Sequence, residues 1–290
     1  MNEKVLKEGK NAIHGGVLYL VATPIGNLSD ISERALKVLS EVDFVAAEDT
    51  RNSGKLLSCY GISKPMISYF EHNKRERGEE IIARLSDGQS CALITDAGTP
   101  AISDPGEDLV RLCAENGIIV TSIPGCSAVV NALALSALST KRFCFEGFLS
   151  TNNGERTARL NEIKNDKRTT VFYEAPHKLK KTLADIFEVF GDRKISLCRE
   201  LTKLNEEIIR TTLSGAIAYY EENAPRGEFV LVVEGASDEE ILSDAFWAHM
   251  TIEQHVEHYI SLGMKKMDAI KSVAKDRGVA KNEIYKIVNI

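Results

Sequence analysis

Four short stretches carry residues that could bind or transform a small molecule. They are Thr23-Pro24-Ile25-Gly26-Asn27, Glu48-Asp49-Thr50-Arg51, the run from Asp96 to Gly106 (DAGTPAISDPG), and Pro124-Gly125-Cys126-Ser127-Ala128. Glycine lets backbone approach a ligand closely and take positive φ. Proline fixes the path of a loop, so less entropy is lost when a ligand binds. In the second stretch, Glu48 or Asp49 could accept a proton from a reacting hydroxyl. Arg51 could hold a phosphate or orient a carboxylate. Taken singly, each stretch reads equally as a turn. Glu48, Asp49 and Arg51 also read as a surface salt-bridge cluster, which contributes little to stability.

Other chemistries lack their patterns. The sequence has no G-x-G-x-x-G, so nothing specific supports a dinucleotide site. It has no G-x-x-x-x-G-K-[ST] for a nucleoside triphosphate and no G-x-S-x-G nucleophile elbow. His72 and His177 are not spaced as metal ligands. Of the six cysteines none forms a C-x-x-C pair, so they read as buried, reduced thiols and no metal site is expected.

The elements that position the four stretches follow from apolar patterning. Residues 17–23, 43–48, 66–70, 91–98 and 118–125 are short apolar runs and predict five strands. Between them, residues 30–42, 52–60, 75–85 and 106–115 have helical periodicity, and 126–138 predicts an apolar helix. Asp30 and Glu33 make a candidate capping box for the first helix. Alternating strands and helices imply parallel β-α units, and continuously apolar strands imply a sheet covered on both faces. All four chemical stretches then follow strands at carboxyl ends, where ligands of open α/β sheets bind.

The pattern changes after Phe143. Residues 143–149, 169–175, 194–201, 206–213 and 227–235 predict five more strands, with helices at 179–190 and 215–222. The third and fourth of these strands are joined by too few residues for a parallel crossover, so this sheet has antiparallel members. Between its first two strands, residues 151–168 are polar and carry Arg156, Arg159 and Lys164; they read as a flexible crossover or a mobile basic loop. From Asp244 on, helices are predicted over 251–263, 266–278 and from Lys281. Seven basic residues, Lys265 and Lys266 among them, stand against three acidic ones from Gly263 to the end. That excess suggests a nucleic-acid contact, with a solvated helical face as the plain alternative.

The chain is therefore α/β, with a polar leader at 1–16, a parallel α/β domain at 17–141, a mixed α/β domain at 142–237 and a helical module at 244–290. Its 290 residues and 43% apolar content suffice for sizeable cores. A net charge of -6 argues against gripping nucleic acid by overall charge, so local patches must serve. No apolar run is long enough for a membrane span and no signal peptide is evident, which points to a cytoplasmic protein.

VATPIGNLSDIS, AEDTR, DAGTPAISDPG, IPGCSA, FYEAPHK and RGEFVLVVEG together resemble the tetrapyrrole methylase superfamily. Within it they look like the ribosomal RNA small subunit methyltransferase I family, from about Val17 to Gly235, and the tail resembles that family's helix-turn-helix module. The resemblance implies S-adenosylmethionine held between two α/β domains, and transfer of its methyl group to the 2′-hydroxyl of a cytidine in the decoding region of small-subunit rRNA. It implies the small ribosomal subunit as partner and a homodimer as assembly. Carried over, the cofactor contacts are Pro24, Gly98, Thr99, Pro100, Ile102, Ser127 and Ala128 in the first domain. In the second they are Tyr173, Glu174, Leu201, Glu228 and Phe229. Many relatives have Asp where this chain has Thr99, a departure that sets it apart from enzymes acting on tetrapyrroles. Asp49 with Arg51, backed by Glu48, is the expected catalytic group; Arg156, Arg159, Lys164, Lys265 and Lys266 are the expected RNA contacts. Two rivals remain, a methylase of a small tetrapyrrole or corrinoid and a non-enzymatic nucleic-acid binder.

Overall fold

A computed structural model describes residues 11–288. Of the expected polar leader, residues 1–10 lie outside the described residues. Five parallel strands, β1 (Val17–Val21), β2 (Phe44–Ala47), β3 (Met66–Ser68), β4 (Cys91–Ile94) and β5 (Ile119–Ile123), form one sheet in the order β3-β2-β4-β1-β5. The helices between and after them are α1 (Glu33–Glu41), α2 (Thr50–Cys59), α3 (Lys74–Ser86), α4 (Gly106–Glu115) and α5 (Ala128–Leu135). Every residue of β2 and β4 is buried, because helices cover both faces. Val17, Tyr19 and Val21 pack with Ala35, Val38 and Leu39 of α1 on one face. Leu18, Phe44 and Leu93 pack with Leu85 of α3 and Leu109 of α4 on the other. Burying each such large side chain is worth about 1.5–3 kcal/mol. The cap of α1 is Ser32, which accepts a hydrogen bond from the Ala35 N–H at 3.1 Å. Asp30, expected as that cap, belongs instead to a 3-10 turn at Leu28–Asp30.

The second sheet is mixed. Its strands β6 (Phe143–Phe148), β7 (Thr169–Glu174), β8 (Lys194–Arg199), β9 (Glu207–Thr212) and β10 (Phe229–Val233) run in the order β6-β7-β10-β8-β9. Only β6 and β7 pair in parallel. One face of this sheet, through Val171, Cys198, Val230 and Val232, packs on Val129, Ala132 and Leu133 of α5. The helix that follows the last strand of the first sheet thus fixes the second sheet beside the first. Two further helices, α7 (Leu179–Phe190) and α8 (Leu213–Glu222), complete this layer.

Residues 151–168 are not a loose crossover. They contain α6 (Asn153–Ile163), whose inward positions Arg156, Leu160 and Ile163 are 4%, 0% and 8% exposed. An arginine at a core position broke the apolar pattern that would have revealed the helix.

The chain divides into two compact units: Met1–Glu162 with Arg168–Glu234, and Ile163–Lys167 with Gly235–Ile290. Both sheets belong to the first. The second holds α9 (Asp238–Asp244), α10 (Ile252–Ser261), α11 (Lys266–Asp276) and α12 (Lys281–Val288). Capping boxes open α9, from Ser237 and Glu240, and α10, from Thr251 and Gln254. Val256, Ala269, Ile270, Val273 and Ile284 form the core of the three longer helices. α9 was not anticipated; its Asp238 and Asp244 pair with Lys167 and Lys164. Among the described residues no helix is long and apolar enough to cross a membrane.

Candidate active site

The carboxyl-end loops of the first sheet and the facing end of the second enclose a cavity of ≈ 270 Å³. Its shape comes from hydrogen bonds that tie the loops together. Thr23 and Gly98 exchange backbone hydrogen bonds of 2.9 and 3.1 Å, joining the loop after β1 to the loop after β4. Gly98 sits at φ +85, a conformation that side chains rarely adopt. The Thr99 hydroxyl donates to the Cys126 carbonyl at 2.9 Å, joining the loop after β4 to the loop after β5. The Asp104 carboxylate accepts from the N–H groups of Ala101, Ile102 and Gly106, at 3.1, 3.1 and 2.7 Å. That turn holds Ala101 and Ser103 at φ +66 and +61, which costs about 1–2 kcal/mol per residue. It also leaves Ile102 on the cavity wall, 53% exposed.

The opposite wall comes from the second sheet. Tyr173 stacks edge-on to Phe145 at 4.8 Å and lies 5.5 Å from Phe148. Glu200 and Thr202, in the β8–β9 connection, also have left-handed backbone, φ +51 and +68. The Lys203 ammonium lies 2.8 Å from Glu200 Oε1 and 2.8 Å from Glu228 Oε2. Its hydrogen bond to Glu200 holds that carboxyl below the usual range. The Lys203 stem crosses Gly26, where a Cβ would lie 2.3 Å from Lys203 Cγ, so the two walls meet there.

Ten expected residues come together on this cavity. Gly98, Thr99, Ile102, Ser127 and Ala128 line it from the first sheet, and Tyr173, Glu174, Leu201, Glu228 and Phe229 from the second. Pro24 and Pro100 do not; both are buried behind the loops that they stiffen. Glu174 is 3% exposed, and its carboxylate accepts from the Ala175 N–H and the Thr182 hydroxyl, so it is already engaged. Glu200, Lys203 and Cys198 line the cavity without having been anticipated. Cys198 lies on the inward face of β8, a position that period-two spacing marks, whereas Glu200 lies just past the strand.

Glu48, Asp49 and Arg51 lie at the carboxyl end of β2 and do not line the cavity. Asn52 donates to the Asp96 carboxylate at 3.1 Å, linking α2 to the loop after β4. Asp49 is the N-cap of α2 and accepts from the Arg51 N–H at 2.8 Å. The Arg51 guanidinium adds contacts of 3.1 and 2.8 Å. These bonds lower the Asp49 pKa to about 2, which makes it a weak base at neutral pH. Glu48 moves the other way. Partial desolvation, then the charges of Asp96, Asp104 and Asp49, raise its pKa, although the side chain still reaches solvent. Of the two carboxylates, Glu48 therefore has the greater proton affinity.

The basic residues of 151–168 are engaged within the protein. Arg156 is an internal residue, not a surface cation: its Nε lies 2.6 Å from Asp185, and Nη1 donates to the carbonyls of Ser150 and Thr151. Arg159 pairs with Glu146 at 2.8 Å and Glu162 at 2.6 Å, and Lys164 with Asp244 at 2.6 Å. Lys265, the N-cap residue of α11, and Lys266, its first residue, are both exposed. The thiols divide: Cys91, Cys113 and Cys198 are buried, Cys126 and Cys144 half-buried, and Cys59 is exposed, contrary to expectation.

Residues 17–217 match the family of tetrapyrrole (corrin/porphyrin) methylases, and the chain belongs to that family. It is 48% identical over 272 residues to ribosomal RNA small subunit methyltransferase I of Halalkalibacterium halodurans, covering 94% of each chain. It is 46% identical to the Bacillus subtilis protein of that name, covering 95% of this chain and 94% of the relative. The fold is similar to cobalt precorrin-4 methyltransferase, with a TM-score of 0.56 and 18% identity over 76% of this chain and 95% of that one. The uroporphyrin-III-C-methyltransferase of Thermus thermophilus gives a TM-score of 0.53 at 18% identity, over 75% and 94%. The chain is a methyltransferase, and its methyl donor is S-adenosylmethionine. The cavity suits such a group: it approaches the small end of ligand pockets, about 300–1,000 Å³, and joins apolar walls to a charged rim at Glu200, Lys203 and Glu228.

Proposed function

We propose that this protein methylates the ribose 2′-hydroxyl of a cytidine in the decoding region of small-subunit ribosomal RNA, working on the small subunit, in the cytoplasm, as a homodimer. The observation that carries this reading is the similarity, over 94–95% of the chain, to proteins named ribosomal RNA small subunit methyltransferase I. The cavity residues Gly98, Thr99, Ile102, Ser127, Ala128, Tyr173, Glu174, Leu201, Glu228 and Phe229 hold the methyl donor, with Pro24 and Pro100 stiffening its loops.

The bound sulfonium supplies an activated methyl group. What remains for the protein is to align a poor nucleophile and take its proton. Alignment can contribute about 7–11 kcal/mol in well-oriented systems, and a general base about 10²–10⁴-fold. Glu48 takes the base role in this account, because its raised pKa lies nearer neutrality than that of Asp49. Asp49 positions Arg51, whose side chain is 86% exposed and able to meet an RNA phosphate. Lys265 and Lys266 of the helical unit add phosphate contacts, compensating locally for a net charge of -6.

Transfer of labelled methyl from S-adenosylmethionine tests the reading, with protein-free small-subunit RNA, unmodified small subunits and uroporphyrinogen as acceptors. Label in RNA or subunits supports it. Label in uroporphyrinogen alone would overturn it.

A further inference from the structure

A second cleft, ≈ 320 Å³, opens at the same end of the second sheet as the methyl-donor cavity. Arg199 ends β8 and Glu207 begins β9, and both line it, together with Tyr219, Tyr220, Asn223 and Arg226 from the end of α8 and the segment after it. Cys198, the strand neighbour of Arg199, lines the methyl-donor cavity, as does Glu200 just past the strand. Successive side chains of a strand point to opposite faces. The two hollows therefore lie back to back across one strand end.

The polar groups of this cleft are incompletely used. Arg226 is exposed and has no ion-pair partner among the described residues. Arg199 gives its Nε to Glu207 at 2.9 Å. The Tyr220 hydroxyl is buried with no hydrogen-bond partner, in a residue only 3% exposed. A buried hydroxyl without a partner is uncommon and calls for an explanation. Burial, then the neighbouring Glu207 charge, pushes its pKa up to about 12, so it keeps its proton and remains a donor. Tyr219 presents a 39% exposed ring at the rim. The methyl-donor cavity differs in kind, with Ile25, Ala128, Leu201 and Val230 in its walls.

We propose that this cleft is a subsite for one ribonucleotide of the RNA substrate, flanking the nucleotide that is methylated. The inference rests on the RNA reading given above. Arg226 holds the phosphodiester, for which a guanidinium fork is well matched. Tyr219 offers its ring to the base, since aromatic side chains stack bases of any sequence. Glu207 accepts from the ribose 2′-hydroxyl, the group that distinguishes RNA from DNA. Tyr220 donates to a ligand oxygen that completes its unmet hydrogen bond. A carboxylate in the wall also favours a singly charged phosphodiester over a free terminal phosphate, which carries more negative charge. The position back to back with the methyl-donor cavity lets one strand reach both hollows around the β8–β9 edge.

The test uses the full chain, a short single-stranded oligoribonucleotide and its deoxy counterpart, with binding read by fluorescence anisotropy over a series of salt concentrations. The expected result is tighter binding of the RNA. Arg226→Gln should weaken RNA binding about tenfold and lower the salt slope by about 1, as for one lost phosphate contact. Tyr220→Phe should weaken RNA binding several-fold without changing that slope. Neither should change the affinity for S-adenosylmethionine, which also shows that each variant is folded. RNA affinity and salt slope unchanged in Arg226→Gln would overturn the subsite. A wild-type protein that methylates RNA alongside such a silent variant would sink the subsite alone. A wild type that binds and methylates no RNA would sink the functional reading first.

Discussion

The cavity rim and the helical unit are built by different rules. Of the five non-glycine residues with positive φ among the described residues, Ala101, Ser103, Glu200 and Thr202 stand in the connections that form the cavity, the fifth, Ala137, follows α5, and none lies in α9 to α12. Among its described residues the helical unit places only Gly263 and Gly278 at positive φ, both following helices and both with open space where a Cβ would go. That is ordinary helix termination. α9 and α10 start at capping boxes, and α10 and α11 run out into glycines, so local sequence does much to shape the unit. The cavity depends instead on distant groups: Asp104 holds its turn, Gly26 gives way to Lys203, and Gly227 gives way to Glu200. Backbone strain gathers where a surface must be shaped for a ligand, and the surrounding structure has to maintain it.

The largest effect expected from breaking this contrast is at Arg156. Arg156→Ala leaves Asp185 half-buried without its partner and should cost about 3–5 kcal/mol. Lys271→Ala, whose ion pair with Asp268 on α11 is exposed on both sides, should cost at most about 1 kcal/mol. Thermal or urea unfolding of the two variants checks the pair. A similar cost for both would mean that α6 is not anchored through Arg156.

Glycine substitutions compare the two regions directly. A Cβ at Gly227, φ +77, would lie 2.4 Å from Glu200 Cγ, so Gly227→Ala should destabilise by roughly 3 kcal/mol and weaken cofactor binding. Gly278→Ala meets nothing within 4 Å and carries only the left-handed strain, about 1 kcal/mol. Calorimetric titration with S-adenosylhomocysteine and unfolding curves separate the two. Equal losses would remove the distinction between strained rim and regular module.

Truncation sharpens the comparison further. A cut after Met250 spares α9, whose Asp244 pairs with Lys164, and removes α10 to α12. Cofactor affinity should persist, while affinity for small subunits should fall about tenfold or more and depend less on salt. Unaltered subunit binding would make the basic helices irrelevant to capture.

The adjacent carboxylates provide a comparison inside the rim. Glu48→Gln should slow single-turnover methylation at least about tenfold, the low end for a lost base being about a hundredfold. Asp49→Asn should keep most of the rate, because asparagine also caps helices. In the wild type, the rate should climb with pH through the raised Glu48 pKa, since the base works ionised. Its stability effect has the opposite sign. A carboxyl whose pKa is raised by folding favours the folded state below the ordinary carboxylate range, and that contribution is lost as pH rises through the raised value. Glu48→Gln should therefore leave stability at neutral pH unchanged or slightly higher. The smallest of these effects is this one in Tm, and a clear drop would argue that Glu48 is structural.

Much of the fold was legible because periodicity was undisturbed. α4 (Gly106–Glu115) and α7 (Leu179–Phe190) occupy the residues that their spacing predicted. α6 was hidden by Arg156, a charged residue in an inward position shared with Leu160 and Ile163. α9 has no buried residue, and only its Ser237–Glu240 capping box could have revealed it. In the site, glycine and proline marked the loops after β1, β4 and β5. Glu200 and Lys203 were missed because charged residues read as solvent-facing, and their placement depends on pairing across the β8–β9 connection. The difference between Glu48 and Asp49 depends on folded neighbours: Asp96 and Asp104 are distant in sequence, whereas Arg51 closes onto Asp49 only once α2 begins.

The central claim, that the cavity delivers a methyl group to a ribose hydroxyl of small-subunit RNA, is tested most directly by mapping the product. Small subunits lacking the modification are incubated with the protein and isotopically labelled S-adenosylmethionine, and the RNA is then digested and analysed by tandem mass spectrometry. The account predicts one added methyl group on the 2′-oxygen of a cytidine in the decoding region, reduced at least tenfold in initial rate by Glu48→Gln. A label on a base, or no label in RNA while the protein binds the donor normally, would contradict it.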